Sequence, residues 1–306
     1  MRLSFAVALA VAGLVVSPSA HAAKPKPKPK PKAEQPAGEP ADAGQGEPAG
    51  PRLQTTAGPA QGVLSDVATI QVPEGYEFVA QGQMPLLNKL TGNLNNPKDI
   101  GAILAPDGWL IFFTWDPIGY VKDDDKDDLD GDELLETFQE AEEGANEARV
   151  EQGFAPMYIQ GWKTPPHYDE KTNNLTWALS NRVGPDLGEQ SVFNINHEVR
   201  MLGRRGAMSA VLVADPASLD KAIAALDGML TGFKFTSGQS YAEYVKGDKV
   251  AAYGLAGLVL GGGLLAAGKL GILAKLGKFI KVIVLAGAAG VVGIFRFLKA
   301  RFRGDV

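Results

Sequence analysis

The chain has no cysteine among its 306 residues. That excludes disulfides, thiolate zinc sites, cysteine nucleophiles and a lipid-modified N-terminal cysteine. Histidine is nearly as scarce, at three. There is no H-E-x-x-H, no G-x-S-x-G and no phosphate-cradling loop. The glycine triplet at 261–263 lies inside an apolar run, not between a strand and a helix. No motif implies a cofactor. The basic segments lack interleaved aromatics, so nucleic acid is not an expected partner.

What is present is segregated along the chain. Hydrophobic residues make up 45% and the formal net charge is -5, yet both are unevenly placed. Residues 121–151 are strongly acidic, and residues 269–303 carry only Lys and Arg among charged types. Asymmetry of this kind reports on location and partners more than on fold.

The first 22 residues have one early Arg, an apolar run from Leu3 to Val16 and an Ala20-His21-Ala22 ending. This is the pattern of a secretory signal peptide, too short in its apolar part for a membrane span. Residues 23–60 form a Lys/Pro-rich arm. Alternating Lys and Pro blocks helix, and like charges extend the chain further. An extended arm of about 100 Å follows at roughly 3.1 Å per residue.

A folded domain is expected over 61–240. "VATIQV", "PEG" and "YEFVA" read as strand, turn, strand. "MPLLNKL" reads as a short helix. Asp107-Gly108 between apolar runs marks a hairpin, and the run from Trp109 to Trp115 is apolar on both faces, hence central in a sheet. Leu134, Phe138, Ala141, Ala145 and Ala148 recur at helical spacing. Asp130 followed by Glu133 resembles a capping box, and Gly153 suits the helix end. Then come "MYIQGW", a Pro-Pro-His loop, and the alternating strands "LTWALSNRV" and "VFNINHEVRM". Phe193, Ile195, Val199 and Met201 share one face of the latter. Asp215 caps a helix with Pro216 at its first position and the stripe Leu219, Ile223, Leu226 and Leu230. The fold class is α+β, a mainly antiparallel sheet with helices packed on it. The closing run, down to "SLDKAIAALDGMLTGFKF", resembles the end of the PsbP and Mog1-like α-β-α sandwich.

Residues 241–306 read as a membrane anchor with a basic tail. The run opening at Val250 and closing at Gly268 is 19 residues without charge. At about 1.5 Å per residue it just spans a core of about 30 Å. Tyr241, Tyr244 and Tyr253 suit an aromatic belt, and Gly257 with Gly261 permits close helix approach. Lys275, Lys278 and Lys281 lie on one side of a basic amphipathic stretch. A second apolar run from Phe279 to Leu298, with Lys281 and Arg296 snorkelling, also reaches across. Two spans fit, and so does one span plus an interfacial helix. The expected location is the bacterial inner membrane, with the folded domain in the periplasm. The expected partners are the lipid bilayer and another envelope protein.

Seven aspartates fall between positions 123 and 132. An EF-hand loop needs ligands at positions 1, 3 and 5, Gly at 6 and Glu at 12. With Gly131 at position 6, Lys126 falls at 1 and Thr137 at 12. Starting at Asp123, Asp128 replaces the glycine and Leu134 the glutamate. A looser divalent-cation site would draw on Asp123, Asp125, Asp128, Asp130 and Asp132. The structural reading is that they cap a helix and complement its dipole. His167 is placed in an exposed loop and His197 on the apolar face of its strand. A hydrolase using either with nearby carboxylates is the enzymatic alternative; a hydrogen-bonded core histidine is the bland one.

"DGWLIFFTWDPIGYVKDDD", "GWKTPPHYDEKTNNLTWAL" and "KVAAYGLAGLVLGGGLLAAGKLG" resemble the bacterial membrane-anchored proteins grouped as domain of unknown function 2167. The likeness runs from about Gln71 to Leu298. It implies a membrane-anchored envelope protein and transfers no catalytic residues. With no catalytic constellation in view, we expect a non-enzymatic binding or scaffolding module.

Overall fold

The computed structural model describes residues 52–261. The first strands are β1 (Thr56–Ala57), β2 (Ala60–Leu64), β3 (Ala68–Val72) and β4 (Glu77–Ala80). Helix α1 (Met84–Leu90) leads into β5 (Asp99–Leu104) and β6 (Leu110–Asp116). The long helix α2 (Gly131–Glu151) precedes β7 (Met157–Asp169), β8 (Asn174–Val183), β9 (Val192–Leu202) and β10 (Ala207–Ala214). Helix α3 (Leu219–Leu230), β11 (Lys234–Phe235) and the short helix α4 (Leu255–Val259) complete the described residues.

Tight turns dictate most of the pairing. Gly108 adopts φ +91° between β5 and β6, and Asn173 adopts φ +54° between β7 and β8. Such turns leave no room for a crossover, so the strands they join run antiparallel. One sheet has the order β1-β4-β5-β6-β10-β9-β8-β7, and β11-β3-β2 form a second. This is the α+β class expected, with β6 central between β5 and β10.

Strands β3 and β4 depart from the hairpin that their sequence suggests. Both edges of β3 are taken, by β2 on one side and β11 on the other. Strand β4 therefore pairs with β1 and β5 in the large sheet. Strand β7 also departs from expectation, because it continues through Pro165, Pro166 and His167 instead of breaking into a loop. It lies at the sheet edge, where proline removes no needed ladder bond, and three register shifts absorb the irregularity. Its outer edge is covered by α2. Asn146 donates to the Met157 carbonyl and accepts from the Met157 N–H, while Glu142 accepts from the Ile159 N–H. An open edge that would template further strands is thereby closed.

The large sheet buries its two faces differently. On one face, Ile103, Ile111, Phe113, Ala210, Leu212, Ile195 and Val199 pack under α3 and the small sheet. The stripe of α3 is Leu219, Ala222, Leu226 and Met229, with Ile223 and Leu230 half-buried beside it. The helix begins three residues later than expected, with Ser218 and not Asp215 at its N-cap; Asp215 accepts from the Ala217 and Ser218 N–H groups and holds the turn before it. The opposite face carries two separate clusters. Val79, Met84, Leu87, Ala102 and Phe112 pack under α1. Leu134, Leu175, Trp177, Leu179 and Leu202 pack under α2 and α4.

The folded unit reaches past both of its expected boundaries. Residues 56–64 of the expected arm and domain start are β1 and β2. At the other end, residues 241–261 are domain, not anchor. Tyr241 and Tyr244 lie against Tyr120, with ring centroids 4.4 Å and 4.2 Å apart, instead of lining a membrane interface. The Tyr241 hydroxyl donates to the Val121 carbonyl. Val250 bridges Tyr120. Leu255, Leu258 and Val259 are buried beside Trp177. Gly257 is buried in α4, whereas Gly261 ends that helix at φ +75° with its N–H on the Leu258 carbonyl. The two glycines thus do not stripe one continuous helix. Among the described residues no helix is long and apolar enough to cross a membrane. Gly268, Lys275, Lys278, Lys281 and Arg296 lie outside the described residues, as do the expected signal peptide and most of the arm.

Candidate functional site

The acidic stretch is divided among separate tasks. Asp130 occupies the N-cap of α2 and accepts from the Asp132 and Glu133 N–H groups at 3.0 and 3.1 Å. Asp125 caps the other nearby helix. Its two oxygens accept from the Leu255 and Ala256 N–H groups, at 3.0 and 3.3 Å, where α4 begins. A helix start leaves such donors unpaired, and a carboxylate satisfies them while complementing the dipole. Asp123 lies 3.2 Å from the Tyr168 hydroxyl. Burial, then the Asp123 charge, push the Tyr168 hydroxyl well above the usual tyrosine range. Lys126 pairs with Glu170 at 2.8 Å. Asp128 and Asp132 lie in the same stretch, Asp132 in the first turn of α2. Among the described residues, no group of three or more acidic or histidine side chains is placed to hold a metal ion.

The two histidines share a face of the sheet but not a site. His167 is exposed on edge strand β7, with Nδ1 3.3 Å from the Pro165 carbonyl oxygen. His197 is buried on β9, on the α3 face, and its Nδ1 has no hydrogen-bond partner among the described residues. Burial holds its pKa below the ordinary histidine value, against the opposing Asp227 charge. Strand β8 runs between the two strands. Neither ring bonds a carboxylate among the described residues, so no base-and-orienter pair is assembled.

The opposite face holds a feature that sequence reasoning missed. Between α1 and α2 the sheet is left uncovered, and a trench of about 900 Å³ opens there. Its floor is Phe112 on β6, Val211 and Val213 on β10, and Leu179 on β8. Its α2 wall is Phe138, Ala141 and Ala145, the stripe that the helical spacing had marked for core. The size and apolar lining match those of ligand sites.

Amides punctuate this apolar surface. Asn88 is buried at one end and donates to Asp99 at 2.7 Å. Burial raises the Asp99 pKa, and the Asn88 and Asn96 bonds oppose that rise. Asn181 is buried at the other end, beneath Asn146 and Arg149 of α2. Asn196 lies between, paired in register with Leu179 and Val213. Its side-chain oxygen is shielded from solvent yet accepts no hydrogen bond among the described residues, and the same holds for Asn194, which pairs with Asn181. A buried acceptor without a donor costs about 1–3 kcal/mol, so natural folds seldom retain one without a reason. The signal in the sequence was the alternation of β9. Asn194, Asn196, Glu198 and Arg200 form its polar side, which reads as solvent-facing; the structure puts α4 and the trench there.

No curated protein matches the chain. Among solved structures, the solution structure of cyanobacterial PsbP from Synechocystis sp. PCC 6803 is similar at a TM-score of 0.35 and 13% identity. That match covers 63% of this chain and 98% of the other. A family described as "Protein of unknown function (DUF2167)" matches residues 56–292, which takes in the whole of the trench and α4. The chain belongs to that family.

Proposed function

We propose that this chain is a binding module with no chemistry of its own, held at the bacterial inner membrane with its domain in the periplasm, and that it holds its partner in the trench. The trench carries the reading, because it pairs an apolar floor with the amide side chains of Asn88, Asn181 and Asn196 on its lining. The leader-like N-terminus and the apolar runs beyond Gly261 support the tether. Since residues 255–260 belong to the core, the stretch from Phe279 to Leu298 is the better span, and a single crossing suffices.

The test is a photo-crosslinking residue at position 145, at the trench mouth, in the full-length chain in cells. The same residue at exposed Val63 on the small sheet serves as control. A specific adduct from 145 alone supports the reading. Equal adducts from both positions, or reproducible turnover by the purified chain, refute it. Single cysteines at 275 or 303 would report the topology, because the background has no thiol.

A further inference from the structure

We propose that residues 262–278 of this chain lie along the trench and cover it. This rests on the binding reading above and adds a regulation to it: a partner must displace the chain's own segment.

The place where α4 releases the chain is the first ground. Gly261 follows α4 and sits against Arg200, whose Nη2 is 4.0 Å from where a Cβ at Gly261 would lie. Arg200 also donates through Nη1 to the Leu258 carbonyl. Arg200 and the trench residue Asn196 lie on the same side of β9. They are four residues apart, about 13 Å at roughly 3.3 Å per residue, and residues 262–265 span the same distance when extended. The trench crosses six strands, from Asp99 on β5 to Ile159 on β7. Five steps of about 4.8 Å make it about 24 Å long. Residues 266–278 reach about 43 Å at full extension, which leaves slack for the return to a span that opens at Phe279.

Apolar surface is the second. With Phe279 to Leu298 as the crossing, Leu264, Leu265, Leu270, Ile272, Leu273 and Leu276 stand between the domain and the bilayer. The floor of Phe112, Val211, Val213 and Leu179 has the same need of cover. Laying one on the other takes both out of water. Covalent attachment presents the segment at an effective concentration on the order of a millimolar, so it outcompetes a free ligand of like chemistry.

Charge is the third. Residues 262–278 carry Lys269, Lys275 and Lys278 and no acid. The lining sets Asp99, Glu140 and Glu142 against Arg149, whose Nε already donates to the Ala155 carbonyl. Asp99 is buried on Asn88, so the field at the mouth comes from α2, which carries eight carboxylates and one arginine. An acidic wall above an apolar floor favours an occupant that is both apolar and cationic, and repels an anionic one. A contact that a partner displaces is weak, so a chain cut at Gly261 exposes the trench and still melts nearly as the full chain does.

The experiment is disulfide trapping in the full chain in isolated membranes, where the absence of natural cysteine leaves only the engineered pair. Ala145→Cys at the trench mouth is combined in turn with Leu265→Cys, Leu270→Cys and Ile272→Cys and oxidised mildly. Glu143→Cys, exposed on the other side of α2, takes the same partners as control. A third set adds Lys269→Glu, Lys275→Glu and Lys278→Glu. At least one pair from 145 should close ten times faster than its counterpart from 143, and the charge reversals should remove that preference. A smaller preference for all three pairs, or one that survives the reversals, overturns the proposal. A fluorophore on Ile272→Cys should keep its emission when spin-labelled lipid is added; strong quenching places the segment on the bilayer and overturns the proposal. The photo-adduct from position 145 judges the binding reading separately. An adduct to a partner where the disulfides fail means an open trench that binds. Disulfides that form, with no adduct even after the charge reversals, mean a docked segment and no binding site.

Discussion

Leu258→Ala separates a core residue from a membrane residue. Leu258 is 0% exposed and belongs to the cluster that holds Trp177 and Leu175. Truncating a buried leucine removes its transfer free energy and leaves a cavity, at about 2–5 kcal/mol. For a domain of this size each kcal/mol lowers Tm by about 2–4 °C, so a 3 kcal/mol loss lowers it by about 6–12 °C. A leucine in lipid behaves differently. Its replacement changes insertion by about 0.5 kcal/mol and leaves the melting of a separate domain alone. The assay is thermal unfolding of the detergent-solubilised chain, followed by near-ultraviolet circular dichroism and by the emission of buried tryptophan. Chains ending at Gly261 and at Tyr253 give the same contrast by truncation: the first should melt like the full chain, the second well below it. A Leu258→Ala shift under about 2 °C, with both truncations alike, would refute the placement of α4 in the core.

Asn196→Leu should leave Tm unchanged or raise it by a few degrees, since it removes a shielded acceptor that has no partner; a loss of more than about 1 kcal/mol in urea unfolding would count against the orphaned acceptor. Asp125→Ala removes the cap of α4 and should cost about 1 kcal/mol, with limited proteolysis speeding up near residue 255 as the readout. His197 has a depressed pKa, so below about pH 6.5 the unfolded chain binds a proton that the folded ring refuses. Stability should therefore fall between pH 7.5 and 5.5, and His197→Leu should flatten that part of the urea-midpoint profile. Asp248 is lowered to about 2 by its bonds from Arg204 and then the Val245 N–H. The stabilisation it provides is whole above about pH 4 and fades as pH falls toward 2, so Asp248→Asn should lose stability at pH 7 and show a weaker acid limb below pH 4.

Local chemistry was legible in the sequence wherever one element decides its own shape. The Asp107-Gly108 hairpin, α1, the Asp130 cap, Gly153 at φ +78° beyond α2 and the burial of Leu219 and Leu226 on α3 all follow from spacing and turn residues. What failed depended on distant partners. Strands β3 and β4 look like a hairpin until one knows that β11, over 160 residues later, occupies the free edge of β3. Residues 255–260 are as apolar as lipid requires, and composition cannot distinguish lipid from a pocket beside Trp177. Asp125 announced a helix cap, but for a helix 130 residues away. The trench was invisible because its residues come from six strands and two helix flanks, and each alone reads as ordinary core or ordinary surface.

The proposed binding site falls on one face of the large sheet only. The α3 face is sealed by a helix and a second sheet, and its titratable resident, His197, is walled in with a depressed pKa. The trench face is covered piecemeal by α1, α2 and α4, and the gap between the pieces collects amides that the fold does not satisfy. Native packing rarely leaves acceptors idle inside an apolar floor, because an aliphatic side chain would fit there at lower cost. Substitutions under α3 should therefore act through Tm, and substitutions at exposed Ala145 through binding at constant Tm. A residue that breaks this division, such as a Phe113 variant that loses the partner while keeping its melting point, would show that recognition runs through the other face.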